Sequence, residues 1–510
     1  MRWLALAPLF AATGCNWIYG LDKTELIDAA PPSELPPGLR TKLVWAIATT
    51  DGMGTIDPML EYKAIGSEPS HSQQPVIQVG DDTSLMDAAY DLADGTFEIP
   101  YSLRESPHRI VYTLPGESVP NEVQWSLTNA FIAVPRTTRY DAPIPPSASG
   151  YSFTPMGLGG SLLAPVLITS GAFTYSANGS EFNQSGSNVQ FPFATSADPV
   201  AGPLGAPQTA KGDWVLLAEY TARTAQQSSF GGWSLAKIDL SANTMVAQMP
   251  EPTWNTTTRT MSTLACTTTP ADCVPGVSTA PTQQRLDSAV GAVNIADQIR
   301  HMSYGVSPST ELPGFLPGVA PLYIERPLIL SFLESTQIDS TLAVADPSAG
   351  LGLERVITAR LSNRRVVDGV TLTSSIQTIT NVFSGAMPFP APFAKNVVLG
   401  TTDLSTADSV IVSPTSGVQK LRWEAESGFK ADDYVVTLYE LTATSLAPVR
   451  IYHVLSPEVK VDGNLLAAGH HYAFAITARS GFPGAATGDF GTARYPFGST
   501  TTFARTFNVQ

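Results

Sequence analysis

Cysteine is nearly missing from this chain: Cys15, Cys266 and Cys273 are the only three in 510 residues. No two of them have C-x-x-C spacing, which excludes a thioredoxin-like redox pair and a zinc ribbon. Charge is scarce as well, at 14% of residues, against about 25% in an average soluble chain. Basic residues are the scarcer sign, 29 against 44 acidic, and the net charge is −15. Arg364-Arg365 is the only basic cluster. A surface of that sign repels phosphate backbones and excludes nucleic acid as a partner. No apolar run reaches the ~20 residues of a membrane-spanning helix. The six histidines are scattered, H-E-x-x-H is absent, and so is the G-x-S-x-G elbow of serine hydrolases.

What is present begins at the first residue. Met1-Arg2 gives a short positive start, and "WLALAPLFAA" (3–12) is an apolar run of the length of a secretory h-region. Ala12, Thr13 and Gly14, all small, precede Cys15. This resembles the lipobox of bacterial lipoproteins, with Ala12 where leucine is commonest. The resemblance implies cleavage after residue 14, a diacylglycerol on the Cys15 thiol and an acylated new N-terminus. Stable anchoring needs more than one acyl chain, which this arrangement supplies. The lipid bilayer is then the first partner, and Asn16 after the cysteine favours the outer membrane. An ordinary secretory signal with a chance cysteine is the alternative. Residues 15–37 read as a tether, because Pro31, Pro32, Pro36 and Pro37 favour an extended spacer.

With Cys15 acylated, Cys266 and Cys273 remain, with six residues between them in "CTTTPADC". An exported pair is expected to bridge. Pro270 and Asp272 supply the turn, and closing so short a loop contributes about 2–3 kcal/mol. Zinc would need two further ligands, and no histidine lies within twenty residues.

Glycine (40) and proline (41) are abundant, and short alternating segments lie between them. The expected fold class is mostly β, with several β-sandwich domains in series. "KLVWAIA", "GTFEIPYSL", "HRIVYTL" and "EVQWSL" predict a β-sandwich over 38–140. "DAPIPPSASG" is a linker. "LLAPVLITSGAFTYSA", "DWVLLAEYTA" and "WSLAKIDL" predict a central β-rich domain over 150–320. Residues 285–302 read as a helix. "RVITARLS" and "VTLTSSIQTITNVF" predict a third β unit over 321–405.

In the last hundred residues, "VQKLRWE" places Leu421 and Trp423 on one face of a strand, and "YVVTLYEL" does the same for Tyr434, Val436 and Leu438. "HYAFAITA" alternates Tyr472, Phe474 and Ile476 against smaller residues, with Leu466 and Gly469 just upstream. L-x-W, Y-x-V-x-L and L-x-x-G-x-x-Y-x-F-x-I-x-A together resemble a fibronectin type III module over 410–510. The resemblance implies an Ig-like sandwich with a tyrosine corner at Tyr472. Ala468 replaces the usual proline, and Gly481–Ser499 is a long insertion between the last two strands.

No catalytic set assembles. Ser234 and Lys237 match S-x-x-K, but in an alternating strand rather than at a helix start. His470 and His471 point to opposite faces of a strand, which is wrong for chelation. Asp81, Asp82, Asp87, Asp91 and Asp94 form an acidic patch without the spacing of a calcium loop. Glu325 and Glu334 are a carboxylate pair of the kind any chain of this length offers, and Gly157–Gly160 lacks the lysine of a phosphate loop. No cofactor or metal is expected. The expectation is a non-catalytic, membrane-anchored protein with an adhesive or scaffolding role. Its further partner would be a glycan or an envelope protein, with Trp214, Trp233 and Trp254 offering ring faces. The alternatives are an extracellular glycan-acting hydrolase carrying an accessory module, and a ligand-presenting lipoprotein.

Overall fold

The architecture is that of a computed structural model. It describes the backbone at residues 39–50, 56–67, 73–100, 103, 108–125 and 131–135, at the strands of 150–353 named below and at Arg285 and Ser288, and at 354–380, 388–413, 417–443, 445–491 and 493–510. Side chains of residues 47–61, and those between Val134 and Arg360 other than Arg285 and Ser288, lie outside the described set.

Among the described residues, every element with defined bounds is a strand, apart from two 3₁₀ turns at Gly463–Leu465 and Ala485–Thr487. The protein is mostly β and arranged in several sheets. Nine strands lead: β1 (Leu39–Thr50), β2 (Ile56–Ala64), β3 (Val76–Gly80), β4 (Leu85–Asp87), β5 (Tyr90–Asp91), β6 (Thr96–Ile99), β7 (His108–Thr113), β8 (Asn121–Trp125) and β9 (Phe131–Pro135). The middle of the chain contributes β10 (Gly150–Phe153), β11 (Leu162–Thr169), β12 (Ala172–Ser176), β13 (Asn183–Ser185), β14 (Asn188–Pro192), β15 (Trp214–Tyr220), β16 (Trp233–Ile238), β17 (Cys273–Val274), β18 (Gln298–Ser307), β19 (Leu322–Glu325) and β20 (Leu342–Ala343). The last twelve are β21 (Glu354–Val367), β22 (Val370–Thr380), β23 (Ala394–Leu399), β24 (Thr402–Asp403), β25 (Val410–Val412), β26 (Val418–Ala425), β27 (Asp433–Leu441), β28 (Leu446–Val454), β29 (Glu458–Asp462), β30 (His471–Ser480), β31 (Phe497–Phe503) and β32 (Phe507–Val509).

Of the helix expected over 285–302, helical backbone is described only at Arg285 and Ser288. Its last five residues instead open β18, which pairs with β21 from Gln298↔Asn363 to Ser307↔Glu354. The apolar spacing of that segment fits either element, and pairing with a fourteen-residue strand decides for β. β21 and β22 form one long hairpin. Its turn is Asp368-Gly369, with φ of 50° and 83°, the two positive angles of the two-residue turn that matches strand twist.

A fourteen-stranded sheet runs β19-β18-β21-β22-β31-β30-β27-β28-β8-β7-β3-β4, with β32 beside β30 and β25 beside β32. It draws strands from each of the four β units expected between residues 38 and 510. β22 pairs with β31, and β28 pairs in parallel with β8, more than 300 residues upstream in the chain. Two smaller sheets matter here. β2-β1-β6-β5, with β9 parallel to β1, is built by the first strands alone. β24-β23-β26-β29 belongs to the end of the chain, and β23 enters it from upstream of residue 410.

Each small sheet shares an apolar core with the large one. Val397, Leu399, Leu421, Trp423, Val459 and Val461 meet Tyr434, Val436, Leu438, Tyr452, Phe474 and Phe507. Leu43, Trp45, Phe97 and Ile99 meet Ile77, Val79, Ile110, Tyr112 and Val123 in the other core. The two cores lie on opposite faces of the sheet, as the register requires. Tyr452 pairs with Glu122 and His453 with Val123, and successive residues of a strand face opposite sides. β30 shows the result. Tyr472, Phe474, Ile476 and Ala478 are buried on one face and Ala473, Ala475 and Arg479 on the other.

Candidate functional site

The densest set of buried ionic side chains in the described residues lies where β7 and β8 meet β28 and β29. Glu122 is fully buried, and Arg109 and Arg450 nearly so. Arg109 Nε donates to Glu122 Oε1 at 2.7 Å and Nη2 donates to Oε2 at 3.1 Å, a forked pair. Arg450 Nη1 lies 3.5 Å from Glu122 Oε2, and Arg109 Nη1 lies 3.8 Å from Asp462 Oδ2. Two guanidiniums thus face two carboxylates. Charges taken out of water in this way hold only when each has a partner. Tyr452, fully buried beside them, has its pKa raised by burial and then by Glu122. Arg450 Nε and Tyr452 Oη find no hydrogen-bond partner among the described residues.

Next to this cluster, Gln124 acts as a short piece of strand. Its Nε2 donates to Lys460 O at 2.5 Å, and its Oε1 accepts from Lys460 N at 2.8 Å. These are the backbone groups that edge strand β29 turns away from β26, and capping them closes the edge to other strands. Lys460 Nζ also pairs with Asp82 Oδ2 at 2.6 Å.

A second ionic set sits at the start of the 481–499 insertion. Arg479 Nε donates to the buried Asp433 Oδ1 at 2.8 Å, its Nη2 reaches Oδ2, and its Nη1 donates to Phe490 O at 2.9 Å. The guanidinium lies 4.4 Å from the ring of Phe482. Asp432 Oδ2 accepts from Gly481 N and Phe482 N. The His453 ring lies tilted against Phe490, 4.9 Å between centroids, and burial, then the charge of Arg479, push its pKa down to about 3. Arg285 forms a third set. It donates to both Glu426 oxygens and to the carbonyls of Phe389 and Ala391, and lies 3.5 Å from the Phe429 ring centroid.

The residues weighed from the sequence fall elsewhere. Cys15, Cys266, Glu334, Trp254, His71 and Gly157–Gly160 lie outside the described residues. Cys273, Trp214, Trp233, His301 and Glu325 are described through backbone alone, Cys273 opposite Ala343. Ser234 and Lys237 stand three apart on strand β16 and are likewise described through backbone alone, opposite Glu219 and Leu216. His470 meets Glu440 at 2.7 Å and His471 meets Asp368 at 3.3 Å, so the adjacent pair is divided.

The acidic patch is divided too. Asp81 Oδ1 accepts from Thr83 N and Ser84 N, Asp94 Oδ1 from Thr96 N, and Asp91 Oδ1 from Ala93 N, each shaping a turn. Asp87 accepts from Gln78, and Asp82 takes Lys460. Hydrogen bonds from Thr83 hold the Asp81 pKa below its ordinary value. An open groove of about 470 Å³ lies beside β5 and β6, lined by Arg40, Gln74, Tyr90, Asp91 and Glu98 among others. Arg40 and Glu98 face each other across 3.9 Å there, both exposed.

The buried ionic groups were not marked in the sequence. Arg109 and Glu122 stand in segments read only as strands, and the one local sign was a charge at an inward position of an apolar alternation. Chemically, the arrangement holds strands together: Glu122, Glu426 and Asp433 each face a guanidinium. No protein-family model matches the chain, and no curated protein matches it.

Proposed function

We propose that this chain is an exported bacterial lipoprotein, anchored in the outer membrane by acyl chains on Cys15, and that its body has a binding or structural role. One observation carries the reading: an apolar run of ten residues behind Met1-Arg2, closed by Ala12-Thr13-Gly14-Cys15. The tether at 15–37 then spaces the body from the bilayer. Its further partner would be a glycan or another envelope protein.

The body is read as Ig-like sandwiches in series. For the end of the chain, the support is the strand order β23-β26-β29 facing β28-β27-β30-β31, which is that of a fibronectin type III module. The contact of Trp423 with Tyr434, at 5.2 Å between ring centroids, agrees with it. So does the hydrogen bond from Ala467 N to Tyr472 Oη, 3.0 Å long and five residues upstream, the geometry of a tyrosine corner. The non-catalytic reading is supported by what the buried ionic groups do. Arg109, Glu122, Arg285, Glu426, Asp433 and Arg479 are all engaged in tying strands and loops together.

Mass spectrometry of the N-terminal peptide tests the anchor. Acyl additions on Cys15 are expected, and Cys15→Ala should release the protein into the soluble fraction. Intact wild-type protein found free in the periplasm would overturn the reading.

A further inference from the structure

The insertion at 481–499 does not pack as a surface loop. Phe482, Ala485, Phe490, Ala493 and Phe497 are all buried in the core that also holds Leu43, Trp45, Ile77, Ile110 and Val123. Phe482 meets Phe497 edge-on at 5.9 Å, and Tyr495 stacks on Phe497 at 5.7 Å. Backbone joins them as well. Ala133 N donates to Gly488 O at 3.1 Å, and Ala133 forms a parallel bridge with Asp489.

The exit of the insertion from β30 is rigidly made. Gly481 has φ of 91°, and a Cβ there would lie 2.5 Å from that of Phe497, so this position needs glycine. Asp432 accepts from the N–H groups of Gly481 and Phe482, and Arg479 donates to Phe490 O. The direction of the insertion is therefore fixed by β27 and β30, while its apolar side chains serve the first strands of the chain.

We infer that Gly481–Phe497 is a strap from the end of the chain that completes the core of its beginning. The strands of residues 39–135 become ordered only together with the residues after 480. Three features point the same way. The sheet of β1, β2, β5, β6 and β9 shares its core with β3, β7 and β8, and that core is closed by five residues from the insertion. β8 has β28 as its second neighbour in the sheet. Its Glu122 is buried between Arg109 and Arg450, one from each end of the chain. Contacts of such sequence separation form late, because a long loop must close before they contribute. One consequence rests on the export reading above: the leading strands of an exported chain would stay unfolded until its last residues had crossed the membrane.

Hydrogen exchange on the purified full-length protein tests the strap. Phe482→Ala should accelerate exchange in β1, β6 and β7 together with β30 and β31, by about a hundredfold or more, as expected for truncating a buried phenylalanine. Acceleration confined to β30 and β31, with β1, β6 and β7 at wild-type rates, would overturn the inference. Phe482→Leu gives the same contrast at smaller amplitude if the alanine variant does not fold. In pulsed exchange during refolding of the wild type, protection of β1, β6 and β7 should rise with that of β30 and β31. Earlier protection of the leading strands would overturn it. Neither readout involves Cys15, so failure here leaves the anchor standing, and an unacylated Cys15 leaves the strap standing.

Discussion

Replacing His453 by phenylalanine should make the protein less sensitive to mild acid. The imidazole is buried, tilted against Phe490 at 4.9 Å between centroids, with Nε2 3.4 Å from Asn121 Oδ1 and Nδ1 without a partner among the described residues. Burial first, and the positive Arg479 second, lower its pKa from the ordinary 6.5 to about 3. In the unfolded chain the ring is solvated and takes its proton near pH 6.5. Between those two values the unfolded state binds a proton that the folded state refuses. The stability tied to this group is therefore complete above pH 6.5 and lost as pH falls towards 3. The loss is about 1.4 kcal/mol per pH unit, or about 2 kcal/mol on going from pH 8 to pH 5. Phenylalanine keeps a ring against Phe490 and binds no proton. Urea unfolding followed by tryptophan fluorescence at pH 8, 6.5 and 5 measures both proteins. Carboxylates titrate equally in the two and cancel in the difference. The variant should gain about 2 kcal/mol on the wild type between pH 8 and pH 5. A difference that stays constant across that range would refute the claim that His453 is held neutral.

Glu122→Gln keeps the side-chain shape but leaves Arg109 and Arg450 buried without their counter-charge. It should destabilise the protein by about 3–5 kcal/mol, read from urea midpoints at neutral pH. Trp423→Ala should cost about 3–5 kcal/mol and lower the thermal midpoint; unchanged unfolding would remove Trp423 from the core. Thiol labelling of unfolded, unreduced protein should find no free thiol at Cys266 or Cys273, and two labelled sites would reject the bridge.

The strands that could be read from the sequence are those with local patterns. In β26, Leu421 and Trp423 turn inward while Lys420 and Arg422 stay outside, and a period of two announces that arrangement. β30 was only half legible. Tyr472, Phe474 and Ile476 mark one buried face, whereas the small Ala473 and Ala475 gave no sign that the other face is covered too. On that far face Ala473 and Ala475 lie in register with Tyr439 and Phe503, and Arg479 meets Phe482 and Phe490 of the insertion, which as sequence looked like a departure from the module around it. The helix expected at 285–302 failed at 298 because its apolar spacing suits either element, and the partner that decides the matter, β21, begins more than fifty residues later. The ionic set was illegible for the same reason. Arg109 and Arg450 meet at one carboxylate from positions 341 residues apart, and no window of sequence contains both.

That separation also explains why charge is buried at the seam. The parallel pairing of β8 with β28 consists of only three registered pairs, Asn121↔Ile451, Glu122↔Tyr452 and Val123↔His453. Three pairs of backbone groups specify a register weakly, because a slip sacrifices few hydrogen bonds. The side chains specify it strongly. A slip of one residue would turn Glu122 towards Ile77, Ile110 and the phenylalanines of the strap, and would turn Val123 towards two guanidiniums. An unpaired charge in an apolar core costs several kcal/mol, more than the three pairs could recover. A slip of two residues keeps the faces but moves Glu122 about 7 Å along the strand, out of reach of Arg450. An apolar seam would have no such preference, since apolar contacts are non-directional. The two surfaces that join the ends of the chain therefore act differently. The apolar strap contributes non-directional burial, and the buried ions supply the alignment.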